Sequence, residues 1–165
     1  MALVQMNYWV YLLVLSAGIV GTFAGYSQLA GWWKKDQKKI LRHGLMLGLI
    51  LAVFDWVFEN AGAILGYWHT TGSNLFLGAV PIEVFFIALC AGAFYNWIAP
   101  KQFSWLLAVA SSVVVAIMGS GIEASLAEQG LLVYTSGWTS GHALVAYFLV
   151  FLGMYFANRW VEKQK

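Results

Sequence analysis

Residues 41–68 read LRHGLMLGLILAVFDWVFENAGAILGYW. After Arg42 and His43 the stretch holds no further basic residue. Its apolar length exceeds the roughly 20 residues that a helix needs to cross the hydrocarbon of a bilayer. It is not a plain anchor, because Asp55 and Glu59 stand one helical turn apart within it and Asn60 follows. The length predicts a membrane span, and the two acids predict that the span does something.

The same length criterion marks residues 8–32, 75–99, 103–127 and 139–160. The chain therefore reads as an all-α integral membrane protein, one polytopic domain over 1–165 with five transmembrane helices. Composition agrees: 61% of the residues are hydrophobic, 17% aromatic and 10% charged, with a mean hydropathy of +0.73. Soluble domains are about half apolar and about a quarter charged. That balance excludes a cytosolic enzyme, a disordered regulator and a nucleic-acid binder. Cys90 is the single cysteine, which excludes intramolecular disulfides and multi-cysteine metal sites; it reads as a small buried apolar residue. Residues 1–8 carry no Lys or Arg, so no cleavable signal peptide is read there.

The nine basic residues set the orientation. Lys34, Lys35, Lys38, Lys39 and Arg42 cluster at the first connection, Lys101 lies in the third, and Arg159, Lys163 and Lys165 lie at the C-terminus. The second and fourth connections have none. Basic residues favour the cytoplasmic side, so the N-terminus is expected outside and the C-terminus inside, in a prokaryotic cell membrane. Trp32, Trp33, Trp97 and Trp160 would then mark the inner boundary, and Tyr8, Trp9, Trp68 and Trp138 the outer one, as interfacial anchors. Gly21–Gly25, Gly44–Gly48, Gly62–Gly66 and Gly137–Gly141 have the spacing that lets helices approach closely, and a homo-oligomer is compatible with such faces. A weak repeat relates 41–99 to 103–160: Glu59 and Glu123 are 64 positions apart, and Trp97 and Trp160 are 63 apart.

Asp36, Glu128 and Glu162 fall in connections or near the end. Asp55, Glu59, Glu83 and Glu123 fall within spans, whereas the Lys and Arg residues lie in connections or at span ends, and His142 is the basic group in the same outer half as the acids. Ionisable groups inside a bilayer mark functional sites by default. At about 1.5 Å per residue, Glu59 lies about 13 Å from the outer end of its span, Glu83 about 12 Å and Glu123 about 6 Å. Asp55 is one turn deeper than Glu59, and His142 is one turn into its span. Asp55, Glu59, Gly62 and Gly66 form one helical stripe, and Ser112, Ala116, Gly119, Glu123 and Ala127 form another. Both acidic stripes are expected to face the bundle interior, with Asn60 joining the polar pocket.

Carboxyls in an apolar pocket can hold a proton and give it up near neutral pH, and aromatic faces stabilise a nearby cation. Acid, base and aromatic cage together suit protonation of a carbon–carbon double bond, a carbocation, and removal of another proton. The expected substrate is lipid-soluble. Two other readings stay open: a proton- or cation-coupled transporter, since carboxyl chains line such pathways, and a non-catalytic lipid-binding or structural subunit. A metal site from Glu59, Glu83, Glu123 and His142 has no supporting spacing such as HExxH, and no cofactor is expected. Gly119-Ser120-Gly121 lies inside a span with no preceding strand and is not read as a nucleotide loop.

The residues Asp55-Trp56-Val57-Phe58-Glu59-Asn60-Ala61-Gly62, then Gly66-Tyr67-Trp68, then Gly78-Ala79-Val80-Pro81-Ile82-Glu83-Val84-Phe85-Phe86 carry a resemblance. The stretch resembles the lycopene cyclase domain of carotenoid biosynthesis, the small multi-span type of archaea, some bacteria and fungi, and is similar to the related carotenoid hydratases of haloarchaea. It runs from Asp55 to Phe86, about a fifth of the chain. The resemblance implies a membrane-embedded enzyme without net redox change, acting on an isoprenoid or carotenoid. It implies Glu83 as the general acid, being the first Glu of a Pro-Leu-Glu-Glu motif, and Glu59 as the helix acid, with Asp55 assisting. Glu123 and His142 are added by placement alone. Asn60, Trp68, Phe85 and Phe86 are the expected substrate contacts. The motif's second Glu is Val84 in this chain, which leaves open cyclisation, hydration or other isoprenoid chemistry.

Overall fold

The long apolar stretches each form a helix. The computed structural model describes residues 8–29, 37–99 and 103–163, with side chains at 8–26, 39–99 and 103–163. The helices among them are α1 (Tyr8–Leu29), α2 (Gln37–Ile64), α3 (Ile82–Ile98), α4 (Trp105–Glu128) and α5 (Ser140–Lys163). Short strands lie between them: β1 (Trp68–Thr70), β2 (Phe76–Leu77), β3 (Val80–Pro81) and β4 (Leu132–Tyr134). Trp32, Trp33, Lys34, Lys35, Asp36, Lys101 and Lys165 fall outside the described residues, as does the side chain of Lys38.

Within α1, α2, α4 and α5, the segments Tyr8–Tyr26, Lys39–Ile64, Trp105–Glu128 and Ser140–Lys163 are long and apolar enough to cross a membrane. α3 has 17 residues, about 25 Å of helix against about 30 Å of hydrocarbon. The expected span at 75–99 is thus shorter than read. Residues 76–81 form a hairpin instead, with Phe76 opposite Pro81 and Leu77 opposite Val80. Gly78 takes the left-handed conformation (φ 73°) that the two-residue turn requires. Asn60 on α2 fixes this turn: its Oδ1 accepts from the Ala79 N–H at 2.8 Å while its Nδ2 donates to the Trp56 carbonyl at 2.7 Å. Pro81 then caps α3, where its missing N–H costs nothing.

α2 and α3 form the most extensive helix pair, α4 and α5 the next, and α1 rests on α3. The α2–α3 crossing depends on two glycines. A Cβ at Gly48 would stand 2.5 Å from the Leu89 carbonyl oxygen, and one at Gly92 would stand 2.8 Å from the Gly48 Cα. Of the four small-residue pairs noted in the sequence, only Gly44–Gly48 serves helix approach in this way. Gly21, Gly25 and Gly137 have open space beside them, and Gly62 makes room for an indole. Large apolar side chains such as Leu106, Ile117, Met118 and Leu149 remain exposed, as lipid contact would require.

β1 and β4 join the two halves of the chain, a pairing between regions the sequence reads as simple connections. α2 ends with Gly66 in the left-handed conformation, the Tyr67 N–H bonding the Gly62 carbonyl and the Gly66 N–H the Ala63 carbonyl. α4 ends the same way at Gly130, with Leu131 to Leu126 and Gly130 to Ala127. Both are Schellman ends. From them the strands run antiparallel with His69 opposite Val133 at the centre. The flanking bonds are reciprocal. Thr71 N–H donates to the Leu131 carbonyl and Thr135 N–H to the Tyr67 carbonyl. The Thr71 hydroxyl donates to the Gly130 carbonyl and the Thr135 hydroxyl to the Gly66 carbonyl. Gly66 and Gly130, His69 and Val133, and Thr71 and Thr135 are each 64 positions apart, so the ribbon has a local two-fold axis through the His69–Val133 pair. Lys39 and Arg42 near the start of α2, and Arg159 and Lys163 near the end of α5, lie at the opposite end of the bundle.

Because left-handed backbone costs a side chain of order 1–3 kcal/mol, Gly66→Ala and Gly130→Ala should each destabilise the detergent-solubilised protein by about that amount. Gly21→Ala, on a helix with open space beside it, should not. Thermal unfolding measures all three; equal melting temperatures would contradict the two helix ends as described.

Candidate functional site

α2 and α4 share no substantial packing interface. Between them lies a cavity of about 360 Å³ that all five helices wall, at the lower end of the range for small-molecule sites. Along α3 its lining runs from Val84 to Ile98, about 21 Å at the helical rise. Asp55, Glu59 and Glu123 all line it, and no Lys or Arg does. The two acidic stripes read from the sequence do face each other. Asp55 and Glu123 are close enough to interact electrostatically, and Glu59 interacts with both.

Each glutamate has its own partner. Glu59 accepts a hydrogen bond from the Trp68 indole Nε1 at 2.7 Å. That indole can reach it only because residue 62 is glycine; a Cβ at Gly62 would overlap the ring. Trp68 is 5% exposed, and its position follows from the Schellman end that turns the chain back over α2. Glu123 accepts from the Tyr134 hydroxyl at 2.9 Å, and the Tyr147 hydroxyl is within hydrogen-bonding reach of it. Burial, reinforced by Glu123 beside it, holds the Tyr134 phenol well above the ordinary tyrosine range, so it stays a donor. Tyr147 packs directly over Gly119, where a Cβ would stand 2.7 Å from the ring. Asp55 has no hydrogen-bond partner among the described residues, and its carboxyl faces the cavity.

Aromatic rings close the cavity at the ribbon end. Trp68 and Trp138 approach to 4.6 Å between ring centroids, Phe58 stands 5.6 Å from Trp68, and Tyr67 stands 5.7 Å from Trp138. Trp9 adds a further wall, 3% exposed and donating from Nε1 to the Thr71 carbonyl at 2.7 Å. The expectation that Trp9, Trp68 and Trp138 are interfacial anchors is therefore corrected for Trp9 and Trp68, which are buried, and Trp138 also lines the cavity. Trp160, at 56% exposure, is free to take that role.

Other expected site residues lie elsewhere. Glu83 is buried in the first turn of α3 and accepts from the Ser73 hydroxyl at 2.8 Å; it is not part of the cavity lining. A carboxylate in the first turn is favoured by the helix dipole. Its neighbour Val84 does line the cavity, so the motif's second acidic position faces the site as an apolar side chain. Asn60 is committed to the Gly78–Ala79 turn, as its two hydrogen bonds show. Phe85 packs against the apolar core and Phe86 is 43% exposed; neither reaches the cavity. His142 pairs its Nδ1 with the Thr139 hydroxyl at 2.9 Å and stacks near Trp138 at 5.3 Å, on the outside of the cavity wall. Among the described residues no three His, Cys, Asp or Glu side chains are arranged to hold a metal ion.

Tyr147, Phe58 and Val84 line the cavity and Tyr134 holds Glu123; sequence reasoning named none of them as site residues. Tyr147 had a usable signal in the small residue Gly119, which faces it across the α4–α5 contact. Tyr134 had none, because its position depends on the non-local β1–β4 register. The chain matches no family model, no curated protein and no solved structure.

Forcing a methyl group into a packed site costs about 1–3 kcal/mol. Gly62→Ala should therefore destabilise the protein by about that amount, and by much less when Trp68→Phe has removed the six-membered part of the indole it meets. Thermal unfolding of the single and double variants tests this; an undiminished cost in the double variant would contradict the seat of Trp68 on Gly62.

Proposed function

We propose that the chain is a five-span membrane enzyme that protonates a carbon–carbon double bond of a lipid-soluble isoprenoid and guides the resulting carbocation, in the manner of a lycopene cyclase or carotenoid hydratase. The supporting observation is the convergence of Asp55, Glu59 and Glu123 on an apolar cavity walled by aromatic rings. In this reading α3 is the fifth crossing, made up to length by the hairpin before it, and the basic end of the bundle faces the cytoplasm. The halves α2–β1–β2–β3–α3 and α4–β4–α5 are two copies of one unit, related by an axis along the membrane normal.

The chemistry divides among the residues by their partners. Asp55 and Glu59 stand one turn apart on α2 and form the proton-donating pair. A proton passes from this pair to one carbon of the alkene, and the positive charge develops on the other. The faces of Phe58, Trp68 and Trp138 stabilise that charge without offering it a nucleophile. A neighbouring double bond of the same substrate can then close a ring, or water can add. Glu123 takes the proton that the cation, or the added water, must lose. Held by Tyr134, it keeps a fixed position for that step. Protons given and taken balance, so the net reaction is an isomerisation or a hydration. In this reading Asp55 and Glu59, which line the cavity, act as the general acid in place of Glu83, which does not.

Expression in a lycopene-producing host should change the pigment profile seen by chromatography. Positioned acid–base groups contribute about 10²–10⁴-fold, so Glu59→Gln and Glu123→Gln should each reduce conversion by at least about 100-fold, while Glu83→Gln retains it. An unchanged profile with folded protein in the membrane would contradict the isoprenoid reading. Acid-dependent ion flux in liposomes, lost in Glu59→Gln, would favour a transporter in its place.

A further inference from the structure

A second apolar space adjoins the first. A groove of about 780 Å³ runs between α2 and α5, with lining from Gly141 to Ala157 along α5, about 24 Å at the helical rise. It shares a wall with the cavity: Leu51, Phe54, Phe58, Trp138, Ala146 and Val150 line both. Its floor is open, since a Cβ at Gly153 would meet nothing within 4 Å. Its ribbon end is polar, closed by the Thr139–His142 pair. At the junction, Trp138 is placed by ring contacts, and its indole Nε1 has no hydrogen-bond partner among the described residues. No hydrogen bond of that indole ties the shared wall shut.

We propose that this groove is the lateral binding site for the long chain of a linear isoprenoid, which enters from the membrane between α2 and α5 while one end reaches the carboxyls in the cavity. The proposal rests on the reading of the cavity as an isoprenoid site, and it names where the rest of the substrate lies. A ligand confined to the cavity has about 360 Å³ to occupy, room for a small molecule. One that also uses the groove can be a long chain running along most of α5. Six shared wall residues make one molecule in both spaces the simplest occupant, and His142 with Thr139 marks where the groove meets the polar boundary.

The test uses the full chain in phosphatidylcholine nanodiscs with a diazirine-bearing geranylgeranyl hydrocarbon as the probe. After illumination and digestion, mass spectrometry should place the label on residues 50–58 of α2 and 141–157 of α5. Unlabelled lycopene should reduce it severalfold. Gly153→Trp, which fills the groove where nothing else packs, should reduce it too, with Gly153→Leu as the milder variant should the tryptophan misfold. Gly21→Trp, at an equally open glycine of α1, should not. Equal labelling of α1 and α4, or equal labelling of the groove by a phosphatidylcholine carrying the diazirine on its acyl chain, would overturn the proposal by showing only bulk lipid there. Pigment conversion by the same variants separates the two claims. Competed groove labelling without any conversion keeps the binding site and removes the enzymatic reading. Conversion that persists in Gly153→Trp, with no groove labelling, removes the binding site and keeps the enzyme.

Discussion

The β1–β4 ribbon is the constraint on which the site depends. α2 and α4 share no substantial packing interface, yet their carboxyls share one cavity. What fixes the helices' ends is a three-residue pairing flanked by the reciprocal bonds of Thr71 and Thr135. Each such bond contributes a net of about 0.5–1.5 kcal/mol. Their value lies in geometry, because they hold two helices apart at a set distance while α3, α5 and α1 close the sides. A space between helices that would otherwise collapse stays open, and it is lined by the acids that face it.

The ribbon also carries the residues that differentiate the two glutamates. Glu59 and Glu123 occupy equivalent positions about the local two-fold axis, but β1 presents an indole to one and β4 a phenol to the other. An indole donates a single N–H, whereas a hydroxyl can donate and accept. The third carboxyl breaks the symmetry further: the position equivalent to Asp55 is Gly119, and Tyr147 fills the space that this glycine leaves. One half therefore supplies a pair of acids and the other a single acid among phenols. In the proposed chemistry, that asymmetry separates proton donor from proton acceptor.

Much of this was legible in the sequence, and the rest was hidden for physical reasons. Hydropathy located each of the described helices, because lipid exposure demands long apolar runs. Helical periodicity placed Asp55, Glu59 and Glu123 on inward faces. Hydropathy also overextended α3, since the run from Leu75 to Pro81 is apolar enough to belong to a span. What decides it is Gly78 in a turn held by Asn60, a contact between residues far apart along the chain. Glu83 illustrates a different difficulty. Depth alone made it equivalent to Glu59, but a carboxyl at a helix start can be there for the helix. The β1–β4 pairing, and with it Tyr134 and the aromatic closure, required knowing which connections meet. Only the 64-residue repeat hinted at that.

The central claim is that Asp55, Glu59 and Glu123 form one interacting cluster from which Glu83 is excluded. Infrared spectroscopy of the carboxyl C=O stretches tests it most directly, in the purified protein with each band assigned by substitution. The account predicts that Glu123→Gln perturbs the bands of both Asp55 and Glu59, whereas Glu83→Gln leaves them in place. Bands of Asp55 and Glu59 that ignore Glu123→Gln, or that respond as strongly to Glu83→Gln, would contradict it.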